Sequence, residues 1–382
     1  MPKILVGDDS MIVTRSAVSD PPAGIPPGML VRIGEEALTV STMSGSLDVS
    51  GLMTIEGEPL SGYGAARRYG LEVGQRLPVV TGADSDELTA IAERLARHEV
   101  HWERRLASLV PAVPLRSKRG FTSASGGKSV RLSWRIPQAV DEWVARHESR
   151  WQQQEFLISA CGVFLARIAV IESFDVELMR CTDIGRPGVF AAAVPFRFEI
   201  VTDFEAVLAH VRAELDLIDR KQTYPRDLVR RSPRLRDQPN LRREAKLPVG
   251  IVLGDESRRR PHWELAIGVQ TQAGHGFIDL DPSLHDQLPG LAERLSRFVE
   301  QIANSDGMLG AIALADADEC DQLLKWGTGP AAGTSNSRLH ELVQSQARAT
   351  PDAVALCHGT TELTYGELNS AADALAAVLR RN

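Results

Sequence analysis

Three carboxylates in the first fifty residues are the first candidates for chemistry in this sequence. Asp8 and Asp9 follow a short apolar run, and Asp48 stands in the later segment GSLDVSGL. If these side chains converged, they could hold a magnesium ion and present Asp48 as a phosphoryl acceptor. That chemistry needs helices that alternate with strands, whereas this region contains strands separated by turns. We therefore predict that Asp8 and Asp9 form a hairpin turn, a position that aspartate favours.

The nine histidines form no catalytic or metal-binding pattern. His98 and His101 lie three residues apart on a predicted helix without a third ligand, so we predict that both face solvent. His275 stands between two glycines and is expected in an exposed loop. The four cysteines lack CxxC spacing, which argues against a zinc site and predicts reduced thiols in a cytoplasmic protein. We predict no catalytic, metal-binding or cofactor-binding residue in this chain.

A basic segment stands out in a chain whose net charge is −7. Arg220–Lys246 contains ten basic and three acidic residues. The acidic whole gives no indication of nucleic-acid binding. The segment is either a solvated arginine-rich loop or a contact surface for an acidic partner such as a carrier protein. In the second case the partner-binding residues are Lys221, Arg226, Arg230, Arg231 and Arg234.

Hydrophobic patterning predicts an α/β fold with several domains. Residues 1–80 read as short strands that form a small β-barrel, with no helix before about Asp84. Residues 84–328 alternate helices and strands, with helices over 84–110 and 284–304, and with Asp84 or Ser85 as the first N-cap. A linker at 329–336 precedes a last segment, 337–382. The longest apolar run, Ala191–Phe198, is far shorter than the ~20 residues of a membrane span.

The N-terminal segment PPGMLVRIGEEALTVSTMSGSLDVSGLMTIEGEPLSGYGAAR resembles the C-terminal β-barrel of methionyl-tRNA formyltransferases. The shared pattern is a Pro-Gly start before two apolar residues, followed by strands and a Gly-x-Leu turn. The resemblance covers about residues 1–77 and rests on positions that maintain a fold. The catalytic domain of that family, with its Asn-His-Asp set and folate site, has no counterpart here. The barrel is therefore expected to serve as a spacer or docking surface.

The middle region resembles the C-terminal lobe of a condensation domain, which has a chloramphenicol-acetyltransferase-like fold. The similar segments, in the order of the family, are HEVHWERRLASL, FLISACGVFLARIAVIESFDVELMRCTDIGR, GVFAAAVPFRFEI, RKQTYPRDLV and FIDLDPSLHDQLPGLAERLSRFVEQI. The family uses a His-His-x-x-x-Asp-Gly motif of the other lobe for amide formation. No two histidines of this chain are adjacent. The resemblance therefore implies half of a condensation domain, without its catalytic lobe.

The segment after the linker resembles the beginning of an adenylation domain. LTYGEL matches the first core motif of that family and comprises Leu363, Thr364, Tyr365, Gly366, Glu367 and Leu368. The ATP-binding and amino-acid-binding motifs of the family come later, so ATP, Mg²⁺ and phosphopantetheine are expected only in a full synthetase. From this resemblance we expect that the chain is an engineered truncation or one piece of a longer protein.

Together these resemblances imply the front end of a nonribosomal peptide synthetase, of the kind that makes antibiotics or siderophores. Our first hypothesis is a non-catalytic scaffold that packs on and orients the adenylation domain. One alternative is half of a split condensation catalyst that a partner completes in trans. Another alternative is a docking module for a carrier protein or a separate formyltransferase. The expected partners are the remaining synthetase domains, with no nucleic acid and no membrane.

Overall fold

A computed structural model describes residues 2–7, 9–19, 24–55, 58–78, 81–112, 129–148, 150–180, 188–236, 247–254, 262–270, 274–285, 290–328, 338–359 and 361–381. The chain divides into two compact units, Met1–Ala315 and Asp316–Asn382. The predicted linker at 329–336 lies outside the described residues. Among the described helices, none combines the length and the apolar character that crossing a bilayer requires.

The strands are β1 (Lys3–Val6), β2 (Asp9–Ser19), β3 (Leu30–Ile33), β4 (Ala37–Thr42), β5 (Gly45–Thr54), β6 (Pro59–Leu60), β7 (Val130–Arg135), β8 (Ser173–Arg180), β9 (Ala193–Glu199), β10 (Val249–Leu253), β11 (Leu265–Gln270), β12 (His275–Leu280), β13 (Val354–His358) and β14 (Thr361–Thr364). The helices are α1 (Gly62–Tyr69), α2 (Gly82–Ala96), α3 (Glu99–Ala107), α4 (Ala139–Arg146), α5 (Gln153–Ala169), α6 (Phe204–Lys221), α7 (Leu228–Arg231), α8 (Pro233–Arg236), α9 (Pro282–His285), α10 (Leu291–Asn304), α11 (Ala317–Thr328), α12 (Leu339–Ala349) and α13 (Tyr365–Leu379).

The N-terminal strands form one antiparallel sheet in the order β1-β2-β5-β4-β3, with β6 paired to β5. This arrangement confirms the predicted strands, whereas closure into a barrel remains a prediction. The sequence reading missed α1, whose first turn contains two glycines, which are poor helix formers. Tertiary context supports the helix: the Ser61 side chain accepts a hydrogen bond from the Gly64 amide, and Gly70 ends it in the left-handed conformation.

The helix predicted over 84–110 is two helices, α2 and α3, that meet near His98. The predicted N-cap was also wrong, because Thr81 caps α2 and Asp84 occupies the third helical position of a capping box. The helix predicted over 284–304 likewise begins later, with α10 at Leu291 after Gly290. The apolar spacing located these helices, whereas their ends depend on local features such as the Thr81 cap of α2 and the left-handed Gly290 before α10.

The central sheet has the order β7-β12-β11-β10-β8-β9. Strand β10 runs parallel to β8 and to β11, and the other neighbours are antiparallel. Helices α4, α5, α6 and α10 pack with one face of this sheet into a single hydrophobic core. Helix α5 is buried along almost its whole length, which explains why its sequence is apolar on every face.

One buried carboxylate, that of Asp175, organises the start of strand β8. Its oxygens accept hydrogen bonds from the Arg197 guanidinium at 2.7 and 3.0 Å and from the Val110 amide at 2.8 Å. A second guanidinium, that of Arg105, lies 3.9 Å from the same carboxylate and also pairs with Glu214. Hydrogen bonding to Asp175 raises the pKa of Arg197, which keeps this guanidinium charged. The cluster joins β8, β9, α3 and α6.

Helix α6 also protects the outer edge of β9. The Glu214 carboxylate accepts a hydrogen bond from the Arg197 amide at 3.3 Å, and the His210 ring lies 3.2 Å from the Arg197 carbonyl. An unpaired strand edge invites pairing with other chains. Side chains of α6 therefore satisfy the strand where another strand would otherwise add.

The second unit contains α11, α12, the β13–β14 hairpin and α13. Its only fully buried apolar side chain among the described residues is that of Ala347. Large apolar side chains of hairpin strand β13 and of all three helices are exposed, namely Leu323, Leu324, Trp326, Leu339, Leu342, Val343, Val354, Leu356, Leu375, Val378 and Leu379. An exposed apolar surface of this size marks a place of contact.

Replacing Asp175 with alanine should strongly destabilise the first unit. The change leaves Arg105 and Arg197 partly buried without their shared carboxylate, a loss that typically costs roughly 3–5 kcal/mol. Urea unfolding measures the effect. The matched control is Asp219→Ala, because Asp219 pairs with Arg180 but is 61% exposed, and exposed pairs contribute below about 1 kcal/mol. Equal losses in the two variants would contradict a central role for Asp175.

Candidate functional site

The histidines predicted to face solvent lie beside positive charge. The Nδ1 atom of His98 lies 3.5 Å from the Lys221 ammonium, and burial together with the charges of Lys221 and Arg97 lowers the pKa of His98. Burial and the charge of Arg105 lower the pKa of His101. Such surroundings disfavour a bound cation. Among the described residues, no group of three or more potential ligands is arranged for a metal ion.

The remaining candidates for chemistry are His275 and the four cysteines. His275 was expected in a loop, but it opens strand β12 opposite Arg135, where its side chain is exposed. Burial raises the pKa of the Cys161 thiol to about 12, which removes it as a nucleophile at neutral pH. Cys320 and Cys357 are exposed, and Cys181 lies outside the described residues.

The acidic residues near the N-terminus do not converge. Asp8 lies outside the described residues, and Asp9 begins β2 opposite Val6, in the pair that closes the β1–β2 hairpin. Asp48 lies on β5 opposite Ala17, eight positions along β2 from Asp9. At 3.3 Å per residue this separates the two carboxylates by about 26 Å. Asp48 instead pairs with Arg32 at 3.7 Å and accepts a hydrogen bond from Thr39.

The basic segment forms ion pairs within the chain. Arg226 donates to Asp9 at 2.6 Å, and Arg231 pairs with Glu99 and lies 3.3 Å from Asp227. The pair of Arg234 with Glu103 is longer, 4.0 Å, and Arg234 is largely exposed. Lys221 contacts His98, and Arg230 is half-buried in the last turn of α7. Residues 237–246 lie outside the described residues. Partner binding by this segment stays a prediction.

The candidate site is the junction between the N-terminal sheet and the segment around α7. We define it by Lys3, Asp9, Ser10, Gly188, Phe190, Arg226, Asp227 and Arg231. Lys3 of β1 and Asp227 pair at 2.8 Å, with only 5% of the Asp227 side chain exposed. Burial by itself raises the pKa of Asp227, but the hydrogen bond and charge of Lys3 and the charge of Arg231 lower it overall. The carboxylate is therefore ionised and held between cations from two regions of the chain.

Close backbone packing fixes the geometry of the junction. Ser10 donates its hydroxyl hydrogen bond to the Gly188 carbonyl. A Cβ atom at Gly188 would lie 2.6 Å from the Asp9 carbonyl carbon, closer than real Cβ contacts allow. Only glycine permits the two backbones to approach this closely. The junction therefore has a required residue that does not depend on charge.

Apolar contacts continue the junction toward helices α2 and α3. Phe190 packs with Ile91 and Leu95 of α2, and forms an isolated bridge with Pro225. Trp102 of α3 is 1% exposed, and its ring packs at a tilt against that of Tyr224, with ring centroids 5.3 Å apart. The junction thus joins the sheet, two helices and the Tyr224–Arg231 segment, an arrangement that holds bodies together and provides no reacting group.

Sequence reasoning missed several junction residues. Lys3, Ser10 and Gly188 carry no motif, and Asp227 entered only as one of the few acids within a basic stretch. A usable signal was present, because an isolated acid among arginines beside the apolar residues Leu228 and Val229 is a typical buried ion-pair partner. The identity of its distant partner Lys3 could not be read from this pattern.

The LTYGEL segment has a structural role in the second unit. Leu363 and Thr364 end strand β14, and Tyr365 begins helix α13. Thr364 and Glu367 form a capping box, in which the Thr364 amide donates to the Glu367 carboxylate at 2.9 Å. This hydrogen bond lowers the pKa of Glu367. Gly366 donates its amide to the Pro351 carbonyl at 2.9 Å, and this bond ties the helix start to the preceding turn.

Sequence comparisons relate this chain to peptide synthetases. No family model matches it. The AMB antimetabolite synthetase AmbB of Pseudomonas aeruginosa is 30% identical over 132 residues, which are 35% of this chain and 10% of that protein. Tyrocidine synthase 2 of Brevibacillus parabrevis is 32% identical over 124 residues, 31% of this chain and 4% of that protein. The chain is related to nonribosomal peptide synthetases. It spans a tenth or less of the length of these relatives.

Three solved structures are among those similar to the chain. The complex of the X-domain and OxyB from teicoplanin biosynthesis gives a TM-score of 0.48 at 15% identity, over 72% of each chain. The nonribosomal peptide synthetase FmoA3 gives 0.47 at 18% identity, over 85% of this chain and 39% of that one. The starter condensation domain of rhizomide synthetase RzmA gives 0.45 at 18% identity, over 61% and 58%.

Replacing Gly188 with alanine should loosen the N-terminal sheet from the central region of the first unit. The added methyl group collides with the Asp9 backbone, and such overpacking costs roughly 1–3 kcal/mol. Hydrogen exchange should accelerate at β1 and β2 while the central sheet stays protected. Gly310→Ala is the matched control, because no atom lies within 4 Å of a Cβ at Gly310. Unchanged exchange in Gly188→Ala would show that the close approach is dispensable.

The junction should weaken in acid. Because Lys3 and Arg231 lower the folded-state pKa of Asp227, its contribution to stability is present at neutral pH. That contribution is lost as the pH falls below the unfolded value of about 3.9 and through the folded-state pKa. The unfolding free energy of the wild type should therefore decrease more steeply below about pH 4 than that of Asp227→Asn. Urea titrations across this range measure both slopes, and parallel curves would refute the assignment.

Proposed function

We propose that this chain is a non-catalytic scaffold at the front of a nonribosomal peptide synthetase, packing on and orienting an adenylation domain. The observation that carries the proposal is the junction, which fastens the N-terminal sheet to the condensation-like region by Gly188, Ser10 and two ion pairs, Lys3–Asp227 and Arg226–Asp9. Arg226 and Arg231, which could have faced a partner, therefore form ion pairs within the chain. A rigid body of this kind suits a role in positioning.

Sequence supports the placement in a synthetase. The relatives are multidomain synthetases, and the collinear resemblance runs from a condensation lobe to an adenylation start. Under this proposal the described central sheet is the C-terminal lobe of a condensation domain. The His-His-x-x-x-Asp-Gly motif of the other lobe has no counterpart in the sequence. ATP, Mg²⁺ and phosphopantetheine would act in the rest of the synthetase.

The second unit supports contact with further synthetase sequence. Its hairpin and helices expose large apolar side chains, including Leu339 at 83% and Leu379 at 67%. Apolar surface on this scale favours burial against another body, at about 25 cal/mol per Å². We propose that the remainder of an adenylation domain covers it. Carrier-protein docking and a catalyst completed in trans stay predictions, and no contact among the described residues favours either of them.

Removing residues 1–315 from the intact synthetase should impair its adenylation domain. The expected result is a lower yield of folded protein or slower amino-acid-dependent exchange of pyrophosphate into ATP, because the adenylation domain loses the scaffold that is proposed to orient it. A milder variant, Arg231→Glu, breaks the pair with Glu99 and should show a partial effect. Its matched control, Arg234→Glu, alters an exposed pair at 4.0 Å. If the deletion changes neither yield nor exchange, the scaffold proposal is wrong.

A further inference from the structure

Strand β2 leaves half of its outer edge open. Strand β1 pairs with β2 only from Asp9 to Ile12, and the Val13 amide donates to the Pro2 carbonyl at 3.1 Å. The next five residues, Thr14 to Val18, are all exposed, with Val18 at 85%. Side chains of a strand alternate between its faces, so exposure of five consecutive residues means that both faces are uncovered.

The register shows which backbone groups point outward. The Val13 amide points toward β1, and groups of alternate residues along a strand point the same way. The pairing of β2 with β5 keeps one register from Met11 to Ser19. The amide and carbonyl groups of Arg15, Ala17 and Ser19 therefore face the open edge. In the described part of the chain no strand pairs with them.

This edge lacks the usual protection against pairing. Native edges are blocked by proline, by several charges or by a covering helix, as α6 covers β9. The exposed part of β2 has the sequence TRSAV, with one charge and no proline. An edge of this composition can add a strand.

We propose that the open edge of β2 pairs antiparallel with β2 of a second copy of this chain, about a two-fold axis at Ala17. This register places Arg15 opposite Ser19 of the second copy and joins all three outward-facing residues. A register centred on Ser16 would place Ser19 of the second copy opposite Val13, where Pro2 already accepts the hydrogen bond. Geometry therefore selects Ala17 as the centre.

Charge complementarity selects the same arrangement. Arg15 and Ala17 lie on one face with Asp48, which is paired to Ala17 across β5. In the dimer the two Arg15 residues are about 13 Å apart along the strand, so they do not oppose each other. Each Arg15 can extend over the small Ala17 of the second copy toward Asp48 there, about 12 Å away between Cα atoms. It would join Arg32, which already lies 3.7 Å from that carboxylate, and the two-fold axis repeats the contact.

The pairing should be reversible and of modest affinity, because two short strand edges bury less surface than the roughly 1,200–2,000 Å² of stable interfaces. Sedimentation equilibrium of the full chain over a wide concentration range should show monomers and dimers in exchange. Ala17→Lys places two ammonium groups at the axis and should raise the dissociation constant at least about tenfold. Met43→Lys is the control, since Met43 is 94% exposed at a hairpin tip away from this edge. Circular dichroism confirms that each variant is folded.

Cysteine crosslinking tests the register. In a background with Cys181, Cys320 and Cys357 changed to serine, Ala17→Cys should form a disulfide-linked dimer under mild oxidation. Arg15→Cys should not, because its two copies lie about 13 Å apart and a disulfide requires Cα atoms within about 7 Å. A chain that stays monomeric, a dimer that Ala17→Lys does not weaken, or equal crosslinking at both positions would each overturn the proposal. This inference is independent of the scaffold function.

Discussion

The burial of Asp227 is the constraint on which the arrangement of the first unit depends. A carboxylate removed from water is costly unless cations and hydrogen bonds replace its hydration. Here the cations come from Lys3, at the start of the chain, and from Arg231, one turn further along the same segment. The charge can stay buried only while the N-terminal sheet remains in place. Folding of the central region and docking of the sheet are thereby coupled.

This coupling gives two arginines of the basic segment a role inside the chain. Arginines in a row suggest a surface that awaits an acidic partner, yet Arg226 and Arg231 bind Asp9 and Glu99 of the same chain. The Asp175 cluster repeats this solution on the other side of α3, where Arg105 and Arg197 surround one buried acid. Both clusters connect elements that are distant in sequence.

The second unit has a locally defined backbone but few buried side chains among its described residues. Capping at Thr364 and Glu367 and the amide of Gly366 define where helix α13 begins, so the LTYGEL residues shape the backbone. Trp326 is 72% exposed, and other large apolar side chains of this unit are exposed too. A local motif can organise a helix start without creating a core. The contrast with the first unit explains why the two parts have different needs for a partner.

The sequence alone determined the elements that depend on local pattern. Short runs rich in Val, Ile and Thr located the N-terminal strands, and apolar spacing located the helices over 84–110 and 284–304, because each signal lies within a few residues. It also supplied the relation to peptide synthetases. Only the tertiary structure decided the partners of Lys3, Gly188 and Arg226. Arg226 and Asp9 are 217 positions apart, and an ion pair or close backbone approach across that distance leaves no periodicity to read.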